Sequence, residues 1–174
     1  MTFQDACNAV RSGASPEDAA RQLVGTLTRE ERLWCLDGDA PTWAGLGYLG
    51  EQDGYHRMTF AAAEVDRVGL PGVHFADGPR GCVVGNATAF PVSMARGATW
   101  DPALEERVGA AIGMELRAAG ADLTGAVCVN VLRHPAWGRS QETYGEDPHH
   151  VGELGAALTR GLQRHVMACV KHFA

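Results

Sequence analysis

The residues best suited to chemistry crowd into one span, 130–148, reading NVLRHPAWGRSQETYGEDP. It holds two arginines, a histidine, two aromatic rings and three carboxylates, framed by proline and glycine. That is not the composition of a core. Its guanidinium and carboxylate groups suit contact with a polar ligand. Two other places carry the same kind of chemistry: the turn DGPRG at 77–81 and the polar pair Lys171-His172. Asp77 has two readings, a turn aspartate bonded to its own backbone or a carboxylate presented at a strand's end to accept from ligand hydroxyls. Lys171 is the one lysine among fifteen basic residues, the rest being arginine, so its presence asks for a reason. Glu146 and Asp147 have a simpler role, with Asp147 as the cap of a helix opened by Pro148 and both acids favoured there by the helix dipole.

The elements that must position these groups follow from periodicity. An apolar run at 126–129 reads as a buried strand, and Val151, Leu154, Leu158 and Leu162 recur on one side of the helix after Pro148, so 130–148 is the loop at a strand's carboxyl end. In parallel α/β folds ligands bind at that edge. Upstream, residues 73–76 read as a strand, and Asp101-Pro102 caps the longest helix, whose Leu104, Val108, Ile112 and Leu116 share a face before Gly120 ends it. Residues 167–173 make a third strand. Strand, helix, strand, helix, strand implies parallel pairing through right-handed crossovers.

Before them, Ser15-Pro16 and the capping box beginning at Thr28 open two short helices. Residues 37–56, with Pro41, Trp43, Tyr48 and Tyr55, read as a long ordered loop that either rims a pocket or packs. Residues 60–67 read as a short helix halted at 69–72 by GLPG. The fold class expected is α/β: a partial TIM-type (β/α) barrel, about its first half, because a whole one takes about 250 residues. Residues 1–174 form one expected domain, with 1–36 as leading helices and 37–174 as barrel units.

Composition narrows the function. Hydrophobic residues make up 45% and charged residues 21% of 174, a globular balance, and no apolar run reaches the roughly 18 residues of a membrane span. The net charge is −6, with basic residues scattered, which argues against nucleic acid and acidic membrane surfaces as partners. The five cysteines are odd in number and far apart, as reduced, buried thiols are. The amino terminus has no secretory pattern, so a cytoplasmic location is expected. His149 and His150 are adjacent and no CxxC occurs, nor GxGxxG, a Walker loop or GxSxG. No metal and no cofactor is expected.

Six pieces in order, DGPRG (77–81), Phe90-Pro91, ATWDPALEERVG (98–109), NVLRHP, GRSQETYGEDP (138–148) and VKHFA (170–174), resemble the amino-terminal domain of glycoside hydrolase family 3, the β-glucosidase and β-xylosidase family. The resemblance implies a (β/α)8-type barrel and the retaining hydrolysis of a terminal β-linked sugar. It implies that Asp77, Arg139, Lys171 and His172 bind hydroxyls of the glycone, where charge-assisted hydrogen bonds are about twice as strong as neutral ones. Arg133 is expected to orient Glu142 beneath the pocket, and Trp137 either lines the sugar site or packs. One departure is Val83, where family members often carry arginine. The resemblance places the nucleophile and the acid/base beyond Ala174, so the 174 residues are expected to be inactive alone. The partner implied is a small-molecule β-glycoside. Self-association through an open sheet edge is expected, and the alternative function is a non-catalytic carbohydrate-binding α/β module.

Overall fold

The structure, a computed structural model, describes residues 1–36 and 54–173. Most of the loop expected at 37–56, with Pro41, Trp43 and Tyr48, lies outside the described residues. Backbone proximity divides the chain into two compact units, one of residues 1–50 and 60–73, the other of 51–59 and 74–174.

The first unit opens with α1 (Phe3–Arg11), α2 (Pro16–Thr26) and α3 (Arg29–Leu36). Each begins on a hydroxyl that satisfies orphan amides. Thr2 and Asp5 cap each other reciprocally at 3.1 and 2.8 Å, Ser15 accepts from the Asp18 amide, and Thr28 and Glu31 form the expected box at 3.2 and 2.8 Å. Helix α1 was not expected. Ala6, Ala19, Leu23, Leu27, Val65 and Val68 form the core of this unit. The Trp34 indole donates to the Glu64 carbonyl at 2.9 Å, and Arg67 forks onto Glu31 at 2.7 and 2.6 Å, drawing that carboxyl down to about 2.

Residues 60–67 are not a helix. Phe60–Val65 is a strand, β1, followed by a short 3-10 turn at Asp66–Val68 and then β2 (Leu70–Phe75). The three alanines favour helix locally, but β1 is hydrogen-bonded to β2, and a ladder partner outweighs propensities of a few tenths of a kcal/mol per residue. Gly69, at φ +66, makes the left-handed turn between them.

In the second unit the end of β2 pairs in parallel with β3 (Leu123–Cys128), and β3 pairs in parallel with β4 (Met167–Lys171). The expected α/β class and parallel connectivity hold, with the strand ends falling within three residues of their sequence estimates. A short helix, α4 (Ser93–Gly97), precedes α5 (Pro102–Ala118) and α6 (Pro148–Leu162). Asp101 caps α5 through the Leu104 amide at 2.9 Å, and Asp147 caps α6 through His150 at 2.7 Å. Helices α5 and α6 bury Ile112, Leu116, Leu154, Leu158 and Leu162 completely. Their backbones meet at Gly109 and Gly161, where an added Cβ would fall 2.6 Å from the Leu158 carbonyl and 2.2 Å from the Glu106 carbonyl.

All five thiols are free, but they are not uniformly buried: Cys82 and Cys128 are, Cys7 and Cys35 are half-buried, and Cys169 is exposed on β4. Met167 and Val170 of the same strand are also exposed. Among the described residues, no helix is long and apolar enough to cross a membrane.

Candidate functional site

The register of the strands gathers the polar residues at one end of the second unit. Cys128, the last residue of β3, pairs with Lys171, the last of β4, and Asp77 follows β2 by two residues. Lys171 Nζ stands 3.4 Å from Asp77 Oδ1 across 94 positions of sequence. Their side chains are 18% and 25% exposed, so the pair is partly desolvated yet reachable. Beneath it Gly125 of β3 leaves the space, since a Cβ there would sit 3.2 Å from Nζ and 3.4 Å from Oδ1.

The turn reading of Asp77 is realised, and the second carboxylate oxygen meets a hydroxyl of the chain itself. Its Oδ1 accepts from the Gly78 amide of its own turn at 3.0 Å, while Oδ2 accepts from the Tyr55 hydroxyl at 3.1 Å. The turn itself requires Gly81, at φ +122, because a Cβ would fall 2.1 Å from the Thr88 carbonyl.

Arg139 grips Glu142 with two bonds of 2.7 Å, Nε to Oε1 and Nη2 to Oε2. The buried Cys128 thiol donates to Glu142 Oε2 at 3.5 Å. The guanidinium holds the Glu142 carboxyl below its ordinary range despite partial burial, and burial pushes the Cys128 thiol up to about 11. The expectation that Arg133 orients Glu142 is therefore corrected, because Arg139 sits three residues away across the short turn Ser140–Glu142 and reaches it first. Arg133 instead lines a cleft of about 360 Å³ with Asn130, Val131, His134 and Trp137. Trp137 is half-buried there. Two of the five guanidinium N–H groups of Arg139 are spent on Glu142, and 45% of its side chain remains exposed.

His172 is tied to the central loop through Asn130, whose Oδ1 accepts from the His172 amide at 3.2 Å and meets Nδ1 at 2.7 Å. The tautomer that satisfies both contacts carries its proton on Nδ1 and leaves Nε2 as an acceptor. The peptide joining Lys171 to His172 is cis. Burial, then the positive charges of Arg139 and Lys171, hold the imidazole below its ordinary 6.5. Folding thus favours the neutral ring. Its contribution is complete above about pH 6.5 and is lost as pH falls through the depressed folded-state value, because the unfolded chain takes the proton first. A ¹³C-histidine titration is expected to place His172 below the midpoint of the denatured chain, and Arg139→Gln to raise it. An unchanged midpoint in that variant would remove Arg139 from the field at His172.

Asp77 and Lys171 are in contact, Arg139, His172 and Glu142 lie within electrostatic reach of them, and Arg133 and Trp137 line a cleft together with Asn130, the residue that holds His172. Sequence reasoning missed two contributors. One is Tyr55, whose loop reads as either pocket rim or packing in the sequence and whose hydroxyl meets Asp77. The other is a buried cluster in which Arg96 binds both oxygens of Glu105 at 3.1 and 2.9 Å, donates to the Pro79 carbonyl at 3.1 Å, and shares Glu105 with the Tyr144 hydroxyl at 2.6 Å. It fastens the 77–81 turn and the end of the central loop to α5. The available signal was Glu105 itself, an acid in helical register with Gly109, Ile112 and Leu116 on the buried face.

Comparison with known proteins bears on the family of the chain. The family described as "Glycosyl hydrolase family 3 N terminal domain" matches residues 46–174. A β-glucosidase of Rhizobium radiobacter is 38% identical over 159 residues, 87% of this chain and 17% of that protein. β-Glucosidase B of Emericella nidulans is 40% identical over 159 residues, again 87% of this chain and 17% of that protein. Among solved structures, β-glucosidase 3B from Thermotoga neapolitana in complex with glucose superposes with a TM-score of 0.75 at 34% identity, covering 88% of this chain and 22% of that one. The chain spans about a fifth or less of the length of these relatives. With a family match across most of its length and the motif residues gathered at the strand ends, this chain belongs to glycosyl hydrolase family 3, within the N-terminal domain.

Proposed function

We propose that these 174 residues are the glycone-holding part of a retaining, exo-acting β-glucosidase or β-xylosidase-like enzyme. Asp77, Arg139, Lys171 and His172 hold the hydroxyls of one terminal β-linked sugar ring. The observation that carries this reading is the convergence of Asp77 and Lys171 at 3.4 Å, with the Arg139–Glu142 fork and the His172 imidazole in the same electrostatic neighbourhood. A pyranose presents adjacent hydroxyls that each donate and accept one bond. Asp77 and Nε2 of His172 supply acceptors; the Lys171 ammonium and the remaining Arg139 N–H groups supply donors. Glu142 is a support for Arg139.

Binding of this kind assists hydrolysis by holding a ring distorted toward the transition state, remote from the bond that breaks. Bond making needs a carboxylate nucleophile and a carboxylic acid about 5–5.5 Å apart. Asp77 and Glu142 are each engaged by cations and other donors, which suits holding rather than attack. The chain by itself is therefore expected to bind D-glucose or D-xylose weakly and to release no aryl group from aryl β-glucosides. Ligand-observed NMR with Asp77→Ala as control, beside an aryl-release assay at high protein concentration, checks both halves. Reproducible turnover that disappears in Asp77→Ala would overturn the division of labour, and sugar contact unaffected by Asp77→Ala would overturn the site.

A further inference from the structure

We infer that Tyr55 is a positioning residue that presets the Asp77 carboxylate and, with it, selects a sugar presenting two adjacent free hydroxyls; this rests on the glycone reading above. Tyr55 lies on a short 3-10 turn, Gly54–His56, that is clamped from two sides. The His56 ring meets the Val83 carbonyl through Nδ1 at 2.9 Å, and the Gly85 amide donates to the His56 carbonyl at 2.8 Å. A carbonyl only accepts, so Nδ1 of His56 carries the proton. Val83 in turn donates its amide to the Asp77 carbonyl at 3.3 Å, and the Tyr55 hydroxyl returns to Asp77 Oδ2 at 3.1 Å. The contacts close a circuit from the backbone of Asp77, through Val83 and His56, to the side chain of Asp77. The Tyr55 ring packs edge-on to His56 with centroids 5.4 Å apart. Burial, followed by the charge of Asp77, raises the phenol above its ordinary range, so the hydroxyl stays protonated as a donor.

The consequence lies in counting acceptors. A carboxylate offers about four lone-pair sites. The Gly78 amide and Lys171 take Oδ1, and Tyr55 takes one side of Oδ2, which leaves one direction open on Oδ2. Without Tyr55 only Oδ1 is held, and the carboxylate can turn about its terminal torsion. With Tyr55 in place the open acceptor has a fixed aim, and the phenol oxygen, donating to Asp77, keeps a lone pair beside it. One sugar hydroxyl donates to Asp77 Oδ2 and its neighbour donates to the Tyr55 oxygen. A ring lacking either hydroxyl loses half of this contact.

Tyr55→Phe tests the role in the 174-residue chain, labelled with ¹³C-tyrosine and titrated with D-glucose. Three tyrosines are present, so the signal lost in Tyr55→Phe is assigned at once. The Tyr55 ring signal is expected to move in Asp77→Asn and on adding glucose. Glucose affinity is expected to fall about 10-fold in Tyr55→Phe, as for loss of one hydrogen bond to a charged group, while the thermal transition stays in place. Affinity preserved within twofold overturns the positioning role, and so does a fall in affinity matched by a collapse of the thermal transition, since that is a merely structural effect. A Tyr55 signal indifferent to Asp77→Asn overturns the contact itself. If glucose moves no signal of the parent chain, the glycone reading fails and takes the positioning role with it, while the Asp77→Asn comparison still reports separately on the contact.

Discussion

Arg96→Ala is expected to abolish or nearly abolish the cooperative unfolding transition of this chain. The Arg96 and Glu105 side chains are 4% and 1% exposed, so truncating the arginine strands a carboxylate in the interior with, among the described residues, the Tyr144 hydroxyl as its remaining side-chain partner. Breaking a buried pair in this way costs about 3–5 kcal/mol, a large part of a typical net stability of about 5–15 kcal/mol. Arg96 also satisfies the carbonyls of Pro79 and Pro91, which lose their donor in the same step. The effect should extend to the proposed sugar site, since Pro79 belongs to the turn that carries Asp77. Replacing both charges, Arg96→Met with Glu105→Leu, is expected to cost much less, because no buried charge is left unpaired. Urea titrations of the parent, the single and the double variant decide the matter. A single variant as stable as the parent would show that water or a shifted side chain reaches Glu105, and the cluster would lose its place as the anchor of the turn.

Gly161→Ala should be the second most damaging change. A Cβ at this position would stand 2.2 Å from the Glu106 carbonyl, 2.6 Å from the Ala110 amide and 2.9 Å from the Gly109 carbonyl carbon. All three are backbone atoms of α5, so no side chain can swing aside. The helices must separate, and the fully buried Ile112, Leu116, Leu158 and Leu162 lose contact along the same seam. Alanine gains about 1 kcal/mol over glycine in helix propensity, but forced overpacking costs about 1–3 kcal/mol and more when backbones collide. A net loss is expected, and Gly161→Val should be worse. Gly152 is the control on the same helix: it is exposed, and a Cβ there meets nothing within 4 Å. Gly152→Ala should raise stability by about 0.5–1 kcal/mol. Opposite signs at two glycines nine positions apart test the close crossing rather than the residue type. Equal and favourable changes at both would show that α5 and α6 do not meet at this distance.

Helix caps and long apolar stripes were readable because they depend on neighbours within a turn. Ser15, Thr28, Asp101 and Asp147 each accept from an amide three residues ahead, a bond that local spacing dictates. The stripe of Val151, Leu154, Leu158 and Leu162 likewise appeared as a buried face. Residues 60–65 were misread for the opposite reason: FAAAEV carries helix propensity, and only a strand lying alongside makes it β1. Cys169 shows the same limit, since the number and spacing of the cysteines suggest reduced, buried thiols while its place on β4 leaves this one exposed.

For the site, the order of the motifs carried the resemblance to the family, and that resemblance in turn pointed to Asp77, Arg139, Lys171 and His172, which stand at or near the ends of readable strands and in the loop between them. Which group grips which was decided in space. Arg133 and Arg139 are alike in type and both near Glu142 in sequence, and only the short turn before Glu142 makes Arg139 its partner. Tyr55 and Asp77, 22 positions apart, and Arg96, Glu105 and Tyr144, spread across the second unit, have no spacing that announces their contact. Local hydrogen bonds follow from the chain's own geometry, whereas a buried charge finds its partner only after packing has removed water and left that partner as the one group able to satisfy it.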